Sequence, residues 1–331
     1  RKIKANFYFF LYTLLGSIFL LFLIVSIYFE LGTTLFCLLP HITVEYSKEQ
    51  LFWVCVFVAF SVKTPTFPFH LWLPEAHVEA PTAGSVILAA LLLKLGGYGF
   101  LRLLLPSFYA SNFFFSPYIK TLCILSIVHA SLTSARQVDL KRIVAYSSIA
   151  HMNFGILGLF SLNLVGIQGS LFLMLAHGIV SAALFFCIGV LYERHHSRNL
   201  FYYGGLVQTM PLFSFYFLLF SFANIGLPGT CNFIGELLII LGLVSNNFFV
   251  LVFASSGVVF SVMYTITMLN KVIFGNVKVS YFTRWKDITK KENFILMTLG
   301  ITTLFFGVAP NFLLELSFPS ISYLLFSIFY W

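Results

Sequence analysis

The chain has 331 residues, of which 60% are hydrophobic and 9% charged, with a formal net charge of +8 and a mean hydropathy of +0.96. Soluble domains carry roughly 25% charged residues, so this composition excludes a water-soluble globular protein and points to a polytopic α-helical membrane protein. The apolar runs are about 20 residues long and do not alternate, which excludes an outer-membrane barrel.

In chain order, nine runs come near the ~20 residues demanded by an apolar core about 30 Å thick. They cover residues 7–29, 51–69, 82–105, 118–133, 143–162, 167–192, 212–244, 248–274 and 294–316. The tail from Pro319 to Trp331 is apolar but too short to cross, and is expected at the interface. The opening RKIKANFYFF leads into the first run without a small-residue cleavage site, so no secretory signal is read there. Cys37, Cys55, Cys123, Cys187 and Cys231 are scattered without metal-ligand spacing and read as small apolar filler.

The connecting segments set the orientation. Those on one side hold Arg1, Lys2, Lys4, Arg136, Lys141, Arg142, Arg194, Arg198, Lys271, Lys278, Arg284, Lys286, Lys290 and Lys291, which are 14 of the 19 basic residues. The other side has Lys48, Arg102 and Lys120. By the positive-inside rule the basic side faces the cytoplasm or the mitochondrial matrix. Much of the positive charge is therefore a topology signal, and no nucleic-acid partner is expected.

Lys63, Lys94, Glu236, His129, His151 and His177 remain inside the runs. A charge at the bilayer centre costs about 2.5–3.5 kcal/mol even on the lenient insertion scale. At about 1.5 Å per residue, Lys63 and Lys94 each lie roughly 18 Å from the face where their run begins. His151, His177 and Glu236 come out at roughly 12–15 Å. Five titratable groups, Lys63, Lys94, His151, His177 and Glu236, thus share the middle of the membrane, as a lateral proton relay requires. The plainer alternative for a lone lysine is a backbone carbonyl partner, and for a lone histidine helix packing. His129 is read that way.

Two runs are broken. Lys63 is followed by Pro65, Pro68 and Pro74, and Pro228-Gly229 interrupts the run that carries Glu236. Paired broken spans point to inverted-repeat transporters, in which freed backbone carbonyls line a cavity. A buried amine whose proton affinity rises and falls with a nearby carboxylate is suited to such a site. Residues 70–80, HLWLPEAHVEA, are expected to form a hydrated loop on the basic side. There His70, Glu75, His77 and Glu79 are read as packing the break, with proton collection as the alternative.

Four stretches carry a resemblance: VKTPTFPFHLWLPEAHVEAPTAGSVILAALLLKLGGYGFLR, DLKRIVAYSSIAHMNFGILG, GSLFLMLAHGIVSAALF and GLPGTCNFIGE. Together they resemble the chain 4 family of NADH-ubiquinone oxidoreductase, the antiporter-like membrane-arm subunits of respiratory complex I. The resemblance covers essentially the whole chain and implies an all-α membrane bundle with discontinuous helices. It divides the chain into the end of a first antiporter-like half (1–105), a second half (106–274) and a final span with its tail (275–331). It also implies proton translocation across the mitochondrial inner membrane. Flavin, iron–sulfur clusters and ubiquinone are expected in partner subunits, with no cofactor or metal in this chain.

Residue by residue, Lys63 matches the lysine of the first broken helix, Lys94 the central lysine, His151 and His177 the linking histidines, and Glu236 the terminal acid. The route implied runs along Lys94, His151, His177 and Glu236. Sister chains 2 and 5, and lipids, are the expected neighbours. The family's first five helices, with the glutamate that pairs with Lys63, have no match here, and a separate polypeptide is expected to supply them, with a truncated subunit as the alternative. The rival readings are a subunit of a related cation/proton antiporter and a non-conducting scaffold.

Overall fold

The computed structural model describes residues 2–35, 45–245, 247–278, 281 and 286–329. Cys37 and Arg284 lie outside the described residues. Within them the chain is helical, with one isolated bridge between Asp139 and Asn199. The helices are α1 (Lys2–Leu31), α2 (Tyr46–Lys63), α3 (Trp72–Glu79), α4 (Thr82–Ile87), α5 (Leu93–Gly99), α6 (Leu105–Ser107), α7 (Tyr109–Arg136) and α8 (Leu140–Leu159). There follow α9 (Leu164–His195), α10 (Leu206–Thr209), α11 (Pro211–Ile225), α12 (Cys231–Val244), α13 (Phe248–Val272), α14 (Lys290–Val308) and α15 (Asn311–Phe329). Two π-helical segments, Leu88–Leu92 and Phe100–Leu104, join α4, α5 and α6 into one span.

Among the described residues, five helical stretches are individually long and apolar enough to cross a membrane: Lys2–Glu30, Thr82–Ser107, Tyr109–Arg136, Leu164–His195 and Phe248–Val272. The bent pair α14 and α15 makes a sixth when taken as one span. The other three runs expected from the sequence fall on interrupted or polar elements. α2 carries Lys48, Glu49 and Lys63, α8 carries Lys141, Arg142, His151 and Asn153, and the 212–244 run is divided into α11 and α12.

Two expectations need correction. The final run does not continue to residue 316. α14 ends at Val308, Pro310 follows, and α15 departs at 67°. Residues 319–329 of the tail belong to α15, which near its start meets α9, where Gln168 Nε2 donates to the Leu314 carbonyl at 3.4 Å. Residues 70–80 are not an irregular loop either. Residues 72–79 form α3, with Trp72, Leu73, His77 and Val78 buried, because the two apolar faces of α1 and α8 close over it.

α8 and α9 form the centre of the bundle, and nearly every side chain of α8 is buried. Because lipid tails are as apolar as leucine, helices associate in a membrane through close packing at small residues rather than by expulsion of water. The α9–α12 seam shows this. A Cβ on Gly235 would lie 2.8 Å from Leu173 Cα, and one on Gly242 would lie 2.7 Å from Gly166 Cα. Gly235→Ala is expected to force the two backbones apart, at about 1–3 kcal/mol for overpacking. A lower thermal midpoint of the detergent-solubilised chain is the expected outcome, and an unchanged midpoint would contradict this account of the seam.

The basic side is tied by charge. Arg194 makes a two-pronged contact with Glu292, Nη1 to Oε1 at 3.0 Å and Nη2 to Oε2 at 2.6 Å, while Glu292 also closes a capping box with Thr289 at the start of α14. Asp287 accepts from the backbone N–H groups of Leu212 (2.9 Å) and Phe213 (3.1 Å), two of the donors left open at the start of α11. These contacts anchor the second broken element against α9.

Candidate functional site

The first break is built from proline and its partners. α2 stops at Lys63 because Pro65 and Pro68 supply no N–H and Pro65 biases the preceding residue away from helix. The carbonyls freed there are met by protein groups. Trp72 Nε1 donates to Val62 O at 2.9 Å, Asn153 Nδ2 to Pro65 O at 3.2 Å, and Thr66 N to Ser61 O at 3.0 Å. Lys63 is the last residue of α2 and is half-buried. Among the described residues its ammonium forms no ion pair with a carboxylate.

The second break is a glycine cap. Gly226 adopts φ +81°, its N–H bonds to Ala223 O at 3.2 Å, and Leu227 N bonds to Phe222 O at 3.1 Å. This is a Schellman ending, with Pro228 close behind to prevent the helix from continuing. α12 then restarts at Cys231 and carries Glu236 one turn in, so that Glu236 sits beside the break. A Cβ on Gly226 would lie 2.7 Å from Glu236 Oε2, so the glycine serves both the left-handed backbone and the space for the carboxylate.

Between the breaks, four side chains form a string. Lys94 Nζ donates to the Ala89 carbonyl at 2.6 Å and lies 3.1 Å from His177 Nδ1. The His177 and His151 rings are 5.5 Å apart between centroids, tilted by 37°. His151 Nδ1 then lies 3.2 Å from Glu236 Oε1, with both side chains almost fully buried. Gly178, one residue beyond His177, leaves room for the lysine stem, since a Cβ there would lie 3.3 Å from Lys94 Cε.

An ammonium donating to His177 Nδ1 requires that nitrogen to be an acceptor, so the ring's own proton sits on Nε2. The Nε2 atoms of both His177 and His151 are buried without a hydrogen-bond partner among the described residues. Each histidine therefore engages its charged neighbour through Nδ1 and keeps Nε2 free, which suits transfer from one ring to the other. A cavity of about 10 Å³ touches His151, Glu236, Ser261 and Gly257. That is about the volume one water needs.

All four string residues were expected from the sequence, but their order was not. The expected route ran through His151 before His177. In space His177 adjoins Lys94 and His151 adjoins Glu236, because α9 packs on α5 while α8 turns toward α12. Lys63 is not joined to the string by any hydrogen bond or ion pair among the described residues. His129 lies apart from it, its ring 5.2 Å from that of His70.

Two contributors were missed. The Ala89 carbonyl belongs to a π-helical segment that leaves no mark in LAALL. Asn153, which holds the first break closed, was signalled only as an amide in an apolar run.

Residues 1–263 match the family model described as NADH:quinone oxidoreductase/Mrp antiporter, TM. The chain is similar to NADH-ubiquinone oxidoreductase chain 4 of Chondrus crispus, 52% identical over 98% of this chain and 66% of the relative. It thus spans less than two thirds of that relative's length. A chain of respiratory complex I from Thermus thermophilus with bound NADH superposes with a TM-score of 0.90 at 28% identity, over 98% of this chain and 69% of the other. A chain of the Mrp complex from Dietzia sp. DQ12-45-1b has a TM-score of 0.87 at 19% identity, over 98% and 68%, and shares the fold. With its two broken elements and most of its length matched, the chain belongs to the NADH:quinone oxidoreductase/Mrp antiporter transmembrane family.

Proposed function

We propose that this chain conducts protons at mid-membrane as part of a chain 4-type membrane-arm subunit of respiratory complex I, in the mitochondrial inner membrane. The observation that carries the proposal is the string Lys94–His177–His151–Glu236. A proton leaves the Lys94 ammonium for His177 Nδ1 as the Nε2 proton moves on to His151, and His151 Nδ1 delivers a proton to the Glu236 carboxylate. NADH oxidation and quinone reduction then take place in partner subunits, which hold the flavin, iron–sulfur clusters and ubiquinone. The neighbours proposed are sister chains 2 and 5. A carboxylate from outside these 331 residues is proposed beside Lys63, supported by the half-buried residue having no ion pair among the described residues. The end of a first antiporter-like half (1–105), a second half (106–274) and a closing segment (275–331) are the divisions proposed around the two breaks.

The likeness to an Mrp chain supports a second reading, a cation/proton antiporter subunit without redox partners. The 52% identity to a chain 4 protein favours the first. Affinity purification of the chain from mild-detergent extracts discriminates. The expected result is copurification with flavin and iron–sulfur subunits and NADH-driven proton uptake after reconstitution. Recovery of a flavin-free complex that exchanges cations for protons would establish the antiporter instead.

A further inference from the structure

We propose that His70 and His129 form a two-histidine site for a divalent metal ion of the zinc class, bridging the first break to α7. The inference goes beyond the proton-conducting function above and uses no residue of its string.

His70 lies in residues 64–71, between α2 and α3, and is 4% exposed. Both of its ring nitrogens lack a hydrogen-bond partner among the described residues. A buried donor or acceptor left unpaired carries its full desolvation penalty, which phenylalanine in the same space would avoid. Its neighbour is a second imidazole. The ring of His129, exposed on α7, stands 5.2 Å away between centroids and 72° between planes. Phe67 packs on both rings, 5.7 Å from His70 and 6.0 Å from His129, and so holds them as a pair. The backbone is fixed on either side, since Leu73 N donates to His70 O at 3.3 Å and Asn153 Nδ2 ties Pro65 O to α8 at 3.2 Å.

The spacing is that of two ligands on one ion. Zn–N bonds run about 2.0–2.1 Å in tetrahedral sites. With each nitrogen about 1.1 Å from its ring centre, two imidazoles on one tetrahedral ion have centroids about 5.2 Å apart. A half-turn of either ring about its Cβ–Cγ bond leaves the centroid in place, so the ligand-bearing edge is chosen without moving the backbone. Neutral imidazole suits zinc, copper and nickel. Among the described residues no group of three or more histidine, cysteine or carboxylate side chains could hold a metal, so water fills the remaining positions here. His129 lies seven residues before Arg136, the end of α7 on the basic side, or about 10 Å along the axis. Closed structural zinc sites use four protein ligands; two make an exchangeable site, in which a bound ion ties residues 64–71 to α7.

The test is zinc binding by the detergent-purified assembled complex, titrated with radioactive Zn²⁺ at micromolar concentration. Changes in the outer shell alone weaken metal sites about 10–100-fold, so loss of a ligand in His129→Gln is expected to weaken one site per complex at least ~10-fold. His70→Gln is expected to weaken the same site. His196→Gln, which alters an exposed histidine at the end of α9, is expected to leave it unchanged. Wild-type zinc affinity and stoichiometry in His129→Gln overturns the site. An equal loss in His196→Gln also overturns it, by showing non-specific binding at surface histidines. His129 is exposed, so its variant keeps the test decisive even where His70→Gln does not assemble. The readout is bound metal, so the site stands or falls independently of the proton string.

Discussion

Lys94→Met is expected to abolish proton conduction through this chain while leaving it assembled. A positioned acid–base group contributes about 10²–10⁴-fold to proton transfer, and methionine fills the lysine's volume without an exchangeable proton. His177 Nδ1 would lose its neighbour at 3.1 Å and the Ala89 carbonyl its donor at 2.6 Å. Removing a mid-membrane cation also removes a burial penalty of about 2.5–3.5 kcal/mol, so the substitution does not tax the fold. Lys94→Arg sharpens the result. A guanidinium retains the charge and can donate to both partners, but it does not deprotonate in proteins. Both variants are therefore expected to fail in dye-quench measurements of proton accumulation normalised to NADH oxidation. Full accumulation with arginine would show that the charge at this position is structural.

Glu236→Gln is the second large effect. The amide keeps the shape of the carboxylate and can still accept from His151 Nδ1, now 3.2 Å from Oε1, but it cannot take up the proton. Conduction is expected to fall as far as in Lys94→Met. Glu236→Asp withdraws the carboxylate from His151 by one methylene and should fall between the two. Because the string acts as a unit, Lys94→Met combined with Glu236→Gln is expected to be no worse than either alone. Multiplicative losses, read from the same proton-accumulation assay, would place the two residues on separate paths.

The elements legible in the sequence are those with a local physical cause. Pro65, Pro68 and Pro228-Gly229 marked the two breaks because proline lacks an N–H and glycine accepts positive φ. Lys63, Lys94, Glu236 and the two histidines stood out because ionisable groups in apolar runs are costly. Less legible were features that depend on a neighbour. Residues 70–80 are polar enough to look hydrated, yet 72–79 form a helix covered by α1 and α8. The final run looked continuous until Pro310, where α15 turns away to lie on α9.

The sequence by itself determined that this is a membrane helical bundle, where its basic connecting segments lie, where its helices break and which titratable groups stand inside apolar runs. Composition, charge distribution and proline chemistry act along the chain and need no partner. Only the tertiary structure decided that Lys94 meets His177 and His151 meets Glu236, that Lys63 stands apart from them, and that His77 is buried against Phe185. The physical reason is that depth along a helix is set by residue number, whereas the azimuth of a side chain and its neighbour across a seam are set by packing. Here that packing is the close approach of α9 to α12 through Gly235 and Gly242, and two π-helical segments that reset the rotation of the span carrying Lys94.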